Sequence, residues 1–158
     1  MDKLASISPQ MAASLAQTNN RPADLRAAID GKILIHDAAH NSAGMLRKGY
    51  EEVRDVKLTP GARHPLAYED PTGRVALFLG RRPHAYILGM EEDDSEALLD
   101  SLWAHASQPK YSWKNEWQAG DLVMWQNRMV LHRRDGFDPN MRRVMHRTQL
   151  KGRSPIAA

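Results

Sequence analysis

Three side chains near the C-terminal end, His132, Arg143 and Arg147, have types and spacing that suit chemistry as well as packing. They fall in WQNRMVLHRRDGFDPNMRRVMHR, residues 125–147. If the end of this stretch is a strand, residues two apart share a face. Arg143, Met145 and Arg147 then point one way, and Val144, His146 and Thr148 the other. A charge buried without its partner typically costs about 3–5 kcal/mol, so two inward guanidiniums call for an anion. A carboxylate, phosphate or sulfonate would satisfy them, because each fork prefers a bidentate acceptor. The simpler alternative is pairing with Asp135 or Asp138, or a solvated face. His132 closes the run MVLH and shares a face with Val130. It is either a half-buried histidine with one hydrogen bond or a metal ligand, since neutral imidazole suits non-haem iron and zinc.

The elements that must position these groups come from a chain of 158 residues, enough for one domain with a real core. It is 42% hydrophobic and 26% charged, the balance of an ordinary globular protein. The absence of cysteine excludes disulfides and thiolate metal sites. No apolar run reaches membrane-span length and MDKLASISPQ has no signal-peptide core, so the expected location is the cytoplasm, without a membrane partner. The net charge of +3 is unevenly placed. Residues 128–153 hold eight Lys/Arg against two acids, while EEDDSE at 91–96 is the acidic counterweight. Anionic partners are expected for the basic quarter. Nucleic acid is disfavoured, because Phe137 is the one aromatic residue there and stacking platforms are missing.

Residues 8–30 read as two helices, QMAASLAQ and RPADLRAAID, with Pro9 and Pro22 near their starts. Residues 1–62 are thus a mostly helical lead-in to strands and one helix over 63–152, in a single domain spanning 1–158. HPLAYED and RVALFLG form a hairpin about the turn signal DPTG, and HAYILGM is a third strand. EDDSEALLDSLWAHAS is the clearest helix, with Asp93 or Asp94 as cap and Leu98, Leu99, Leu102, Trp103 and Ala106 as its apolar stripe. YSWKNEW, DLVMWQ and the segments at His132 and Arg143–Leu150 complete the strands. The tight polar turn Gln118–Asp121 lies among them, and Trp113, Trp117 and Trp125 are expected in the core. The fold class is mainly β with helices, a barrel or sandwich.

Three blocks carry a family resemblance: HPLAYEDPTGRVALFLG, SEALLDSLWAHA and WQAGDLVMWQNRMVLHRRDGFDPNMRRVMHRTQLKG. Through them, and from Asp2 to Gly152, the chain resembles the C-terminal half of the TauD/TfdA family of Fe(II)/2-oxoglutarate-dependent dioxygenases. The resemblance implies the C-terminal portion of a double-stranded β-helix, or jelly roll, with the N-terminal barrel strands missing. It implies Fe(II) as cofactor, 2-oxoglutarate as cosubstrate, O2, and a small anionic organic substrate that is hydroxylated as 2-oxoglutarate becomes succinate and CO2. By the same resemblance His132 is the second histidine of the iron face, Arg143 holds the distal carboxylate of 2-oxoglutarate, and Arg147 holds the substrate anion or assists the cosubstrate. Tyr86 and His84 fall in a region that lines the family's substrate pocket.

Two departures qualify the match. Gln126 stands where the family usually has aspartate. The family's first iron histidine and carboxylate form a His-x-Asp or His-x-Glu pair, and none of His36, His40, His64, His84, His105, His132 or His146 has an acid two residues on. Asp37 follows His36 directly, and adjacent strand residues point to opposite faces. The family's 2-oxoglutarate-assisting threonine would also lie upstream. The chain is therefore expected to be inactive alone, to need an N-terminal half as partner, and to self-associate through uncovered edges. A non-catalytic remnant or regulatory half-barrel is the alternative.

Overall fold

The computed structural model describes residues 23–41, 44–80 and 84–152. Within them the order is α1 (Ala23–Ile29), β1 (Ile33–Asp37), β2 (Gly61–Pro65), β3 (Ala67–Glu69), β4 (Val75–Leu77), β5 (Tyr86–Ile87) and α2 (Glu92–Ala106). Short 3-10 turns lie at Val56–Leu58 and Pro109–Tyr111. The helix expected from QMAASLAQ falls outside the described residues, and RPADLRAAID supplies α1.

Strand β1 corrects the expectation of a mostly helical lead-in. Its sequence ILIHD has two β-branched isoleucines, which fit a pleated surface. It pairs antiparallel with β2 on one side and β5 on the other, giving the order β2-β1-β5. Neighbours on both edges override any local helical tendency. Leu34 and Ile35 are accordingly buried on opposite faces of the same strand.

The expected hairpin forms. Strands β3 and β4 pair with Tyr68 opposite Ala76, and Asp70 organises the turn between them. Its carboxylate accepts bonds from the Thr72 hydroxyl at 2.6 Å, the Thr72 and Arg74 backbone N–H groups, and Arg74 Nε at 2.8 Å. The Thr72 hydroxyl, against the opposing effect of burial, and then Arg74 hold this carboxyl far below the usual carboxylate range. The two sheets are one continuous bend: Leu66 donates its N–H to Lys32 O and accepts from Phe78 N–H.

Helix α2 covers this bend with the expected stripe. Leu99, Leu102 and Ala106 are buried against Ile29, Leu34, Leu66, Leu77, Leu79 and Ile87, with Leu98 and Trp103 at the margin. Glu91 occupies the cap position and makes no side-chain cap bond. Asp93 and Asp94 lie inside the first turn and act through the helix dipole, not as the cap expected of them. Buried Ser95 accepts the Ile87 N–H at 3.0 Å, satisfying an edge-strand donor and tying α2 to β5.

The strands expected after α2 do not form: among the described residues none beyond Ile87 belongs to a ladder. The Gln118–Asp121 turn is present, closed by Asp121 N–H to Gln118 O at 3.1 Å. Trp113 and Trp117 are exposed, contrary to a core role, and Trp125 is half-buried. The physical reason is pairing. An extended segment becomes a strand when a second backbone accepts its N–H groups, and among the described residues this one joins no ladder. It is anchored at Met129, buried against Tyr68 and Ala76, and at Arg128, which donates to the Tyr68 hydroxyl at 3.4 Å.

His36 is the tightest point of the β1 region. Its Nε2–H donates to Phe78 O at 3.1 Å, a carbonyl that can only accept, and its ring meets those of His64 and Phe78. A Cβ on Gly80 would come within 3.0 Å of that ring, and one on Gly61 within 2.0 Å of the His36 carbonyl oxygen. Gly61→Ala should therefore drive β2 off β1 and cost about 3 kcal/mol, the upper end of overpacking penalties. An unchanged urea midpoint would refute the register. Burial, then the nearby His64, pushes the His36 pKa down to about 4 from 6.5, with the Phe78 carbonyl opposing. Below pH 6.5 the unfolded chain takes up a proton that the folded chain refuses until about pH 4, so stability falls across that window as pH drops. The loss should be about 1–2 kcal/mol after solvent screening of a partly wetted ring. His36→Gln should flatten the dependence in urea titrations run at successive pH values; an unaltered slope would exclude His36 as its source.

Candidate functional site

The residues singled out in the sequence divide between a folded layer and an extended arm. Tyr86 is in the layer: it is buried in β5, and its hydroxyl donates to the Met90 carbonyl. His132, Arg143 and Arg147 are all on the arm and exposed. The His132 ring lies 5.2 Å from that of Trp125. Gln126 is exposed, and its carbonyl accepts the Met129 N–H at 2.9 Å, shaping the turn that delivers Met129 to the core. No hydrogen bond, ion pair or ring contact among the described residues joins His132 to Arg143 or Arg147.

Arg143 is held by a local device. Asp138, Pro139, Asn140 and Met141 form a turn closed by Met141 N–H to Asp138 O at 3.0 Å. Asp at the first position and Pro at the second are the preferred residues of a type I turn. Asp138 Oδ1 accepts from the backbone N–H and side-chain amide of Asn140, and this fixes the corner. The reversal returns Arg143 to Phe137, with the guanidinium carbon 5.7 Å from the ring centroid. Arg134 approaches the same ring at 4.8 Å. The segment's acids are engaged elsewhere, Asp135 with Arg133 at 3.6 Å and Asp138 with Asn140. Among the described residues none of Arg134, Arg143 and Arg147 has a carboxylate partner, so of the simpler alternatives the pairing to Asp135 or Asp138 does not occur, while Arg143 and Arg147 do lie on an exposed face. Arg134 and Phe137 were not candidates from sequence; the signal was the turn sequence DPN between two basic pairs.

A second polar cluster lies at the end of β1. Asp37 accepts the Ala39 N–H at 2.8 Å and the His40 N–H at 3.1 Å, and its Oδ2 is 3.1 Å from His40 Nδ1. The opposite nitrogen, Nε2, is 3.4 Å from Glu52. His84 stacks on His40 with centroids 3.9 Å apart and rings nearly parallel, from a backbone φ of 64°. The arrangement sets the His40 ring between two carboxylates and closes the loop after β1. No group of three His, Asp or Glu side chains among the described residues can hold a metal ion.

No helix among the described residues is long and apolar enough to cross a membrane. The family model described as "Taurine catabolism dioxygenase TauD, TfdA family" matches residues 10–149. The chain is 39% identical over 118 residues to pentalenolactone F synthase of Streptomyces arenae, covering 63% of this chain and 40% of the relative. It is 32% identical over 138 residues to the alpha-ketoglutarate-dependent 2,4-dichlorophenoxyacetate dioxygenase of Burkholderia sp. strain RASC, covering 87% and 46%. A crystal structure from Burkholderia xenovorans, assigned as an alpha-ketoglutarate-dependent 2,4-D dioxygenase, superimposes with a TM-score of 0.58 at 30% identity over 73% of this chain and 45% of that one. The chain thus spans about half the length of the curated relatives it matches. Enzymes of this family are oxidoreductases that use Fe(II) and 2-oxoglutarate on small substrates. With the family match running through the layer, the helix and the arm that carries His132 and Arg143, this chain belongs to the TauD/TfdA family.

Proposed function

We propose that this chain carries the C-terminal part of the double-stranded β-helix of an Fe(II)/2-oxoglutarate-dependent oxygenase. The reaction converts a small anionic substrate, O2 and 2-oxoglutarate into the hydroxylated product, succinate and CO2. The observation that supports it most is that the family match extends through the arm to residue 149, across His132, Arg143 and Arg147. His132 is the iron-ligating imidazole, Arg143 the partner of the distal carboxylate of 2-oxoglutarate, and Arg147 the partner of the substrate anion. Any substrate contact from Tyr86 comes through its ring, because its hydroxyl is engaged by Met90.

The described residues do not by themselves fit an iron site. Fe(II) in such oxygenases takes two histidines and a carboxylate on one face, leaving open positions. Here His132 is one imidazole, no His, Asp or Glu triple is placed to hold a metal, and no step of the reaction is assigned to the metal on this chain. The remaining ligands belong to an N-terminal barrel half, as does the backbone that pairs with the arm. The exposed Leu122, Met124, Met141, Val144 and Leu150 would be covered by that half. A non-catalytic half-barrel is the second reading, favoured by the lack of further iron ligands beside His132 among the described residues.

The chain alone should form no succinate in air with Fe(II), ascorbate, 2-oxoglutarate and a panel of small sulfonates and carboxylates. Turnover should appear when it is co-expressed with an N-terminal half bearing the His-x-Asp pair. Iron-dependent succinate from the chain alone would contradict the ligand count, and no turnover from the pair would favour the non-catalytic reading. In the joined protein Arg143→Ala removes a charge-assisted pair and should weaken 2-oxoglutarate about thirty-fold or more, while Arg143→Lys keeps the charge, loses the fork and falls between. Binding of an Fe(II) surrogate should hardly change in either variant. Calorimetric titration separates the two effects, and an Arg143→Ala affinity within two- or three-fold of the parent, roughly the effect of a solvated charge, would end the cosubstrate assignment.

A further inference from the structure

The turn at Asp138–Met141 returns Arg143 to the ring that Arg134 also approaches, and two cations on one aromatic ring need a reason. Guanidiniums repel each other, and here no carboxylate of the described residues lies between them to neutralise the pair. The attraction of each for the face of Phe137 holds them nonetheless, at 4.8 Å for Arg134 and 5.7 Å for Arg143. A guanidinium attracted to a ring face spends none of its N–H groups on a hydrogen-bond acceptor there, so both forks remain available to an incoming anion. Asp135 pairs with Arg133, and Asp138 accepts from Asn140, so neither of these carboxylates is paired with Arg134 or Arg143.

We infer that Phe137 is a positioning residue that gathers Arg134 and Arg143 into one clamp, in which Arg134 is a second binding group for the carboxylate taken by Arg143. The inference rests on the cosubstrate role proposed for Arg143 and deepens it. Phe137 acts through Arg143 by restricting its otherwise free side chain, so that less rotamer freedom is lost when the carboxylate arrives. Arg134 adds a second charge-assisted bond to a ligand that a single fork would hold alone.

The test uses the full chain, labelled with nitrogen-15 at arginine, and 2-oxoglutarate itself as the probe at low salt. In the parent the side-chain Nε–H resonances of Arg134 and Arg143 should both be displaced by the Phe137 ring current and should shift together as 2-oxoglutarate is added. Phe137→Leu should abolish the ring-current displacement at both arginines and weaken binding about two- to five-fold, the size of an exposed cation–π contact. Phe137→Tyr should restore the displacement and the affinity, a rescue that a general packing role for an exposed ring would not require. Arg134→Gln should weaken binding while leaving the Arg143 displacement in place. If Phe137→Leu or Arg134→Gln binds as the parent does while Arg143→Ala loses binding, the clamp is wrong and the cosubstrate role of Arg143 stands. If Arg143→Ala binds as the parent does, the cosubstrate role itself fails and the clamp with it. Resonances of the two arginines that do not move with 2-oxoglutarate in the parent also overturn the clamp.

Discussion

Leu66 stands where one polypeptide segment leaves one sheet and enters another. Its N–H is bonded to Lys32 in line with the β1–β2 ladder, and its carbonyl to Phe78 in line with β3–β4. Both backbone polar groups are therefore satisfied at a fully buried position, where leaving either open would cost about 1–3 kcal/mol. That double bonding lets residues 61–69 run without a break through two sheets, with the side chain at the bend under α2. Other contacts of the folded layer depend on this corner. The Leu99 and Leu102 stripe has a concave apolar surface to meet, and Phe78 is carried to the position where its carbonyl receives the His36 imidazole.

The layer uses its polar residues to close the backbone. Asp37 turns the chain after β1, Asp70 turns it between β3 and β4, and Ser95 takes the N–H that the short strand β5 offers. Each replaces a missing main-chain partner with a side-chain oxygen, which suits strands of five residues or fewer whose ladders end early. The histidines gather in the same place: His36 meets His64 edge-on, and His40 lies flat on His84. They pack, and among the described residues they do not converge on a metal.

The arm obeys different physics. From Ser112 onward the described backbone is extended, its apolar side chains are mostly in water, and its fixed points are local turns with one buried anchor at Met129. The acidic start of α2 and the basic arm separate the chain's charge into two regions. Arg143 and Arg147 lie on the arm, and so does the imidazole proposed as an iron ligand. The chemistry proposed for the family is therefore carried by the part of this chain with the least packing of its own.

Local order was legible in the sequence wherever a few neighbouring residues decide the outcome. DPTG between two β-type runs predicts the hairpin, the acids and leucine stripe of residues 92–106 predict α2, and Gln118–Asp121 predicts a turn; all three form. The residues matching the family's motif were also legible, because their types and spacing are properties of the chain itself. Tertiary structure decided the rest. ILIHD became a central strand because β2 and β5 flank it, a fact about residues about thirty and fifty positions away. DLVMWQ and Arg143–Leu150 have strand alternation yet join no ladder, because alternation specifies which face a residue takes and a second backbone must complete the sheet. The same limit hid the meeting of Arg134 and Arg143 on Phe137: spacing placed Arg143 as a candidate, and the turn at Asp138 carried it back to the ring that Arg134 also approaches.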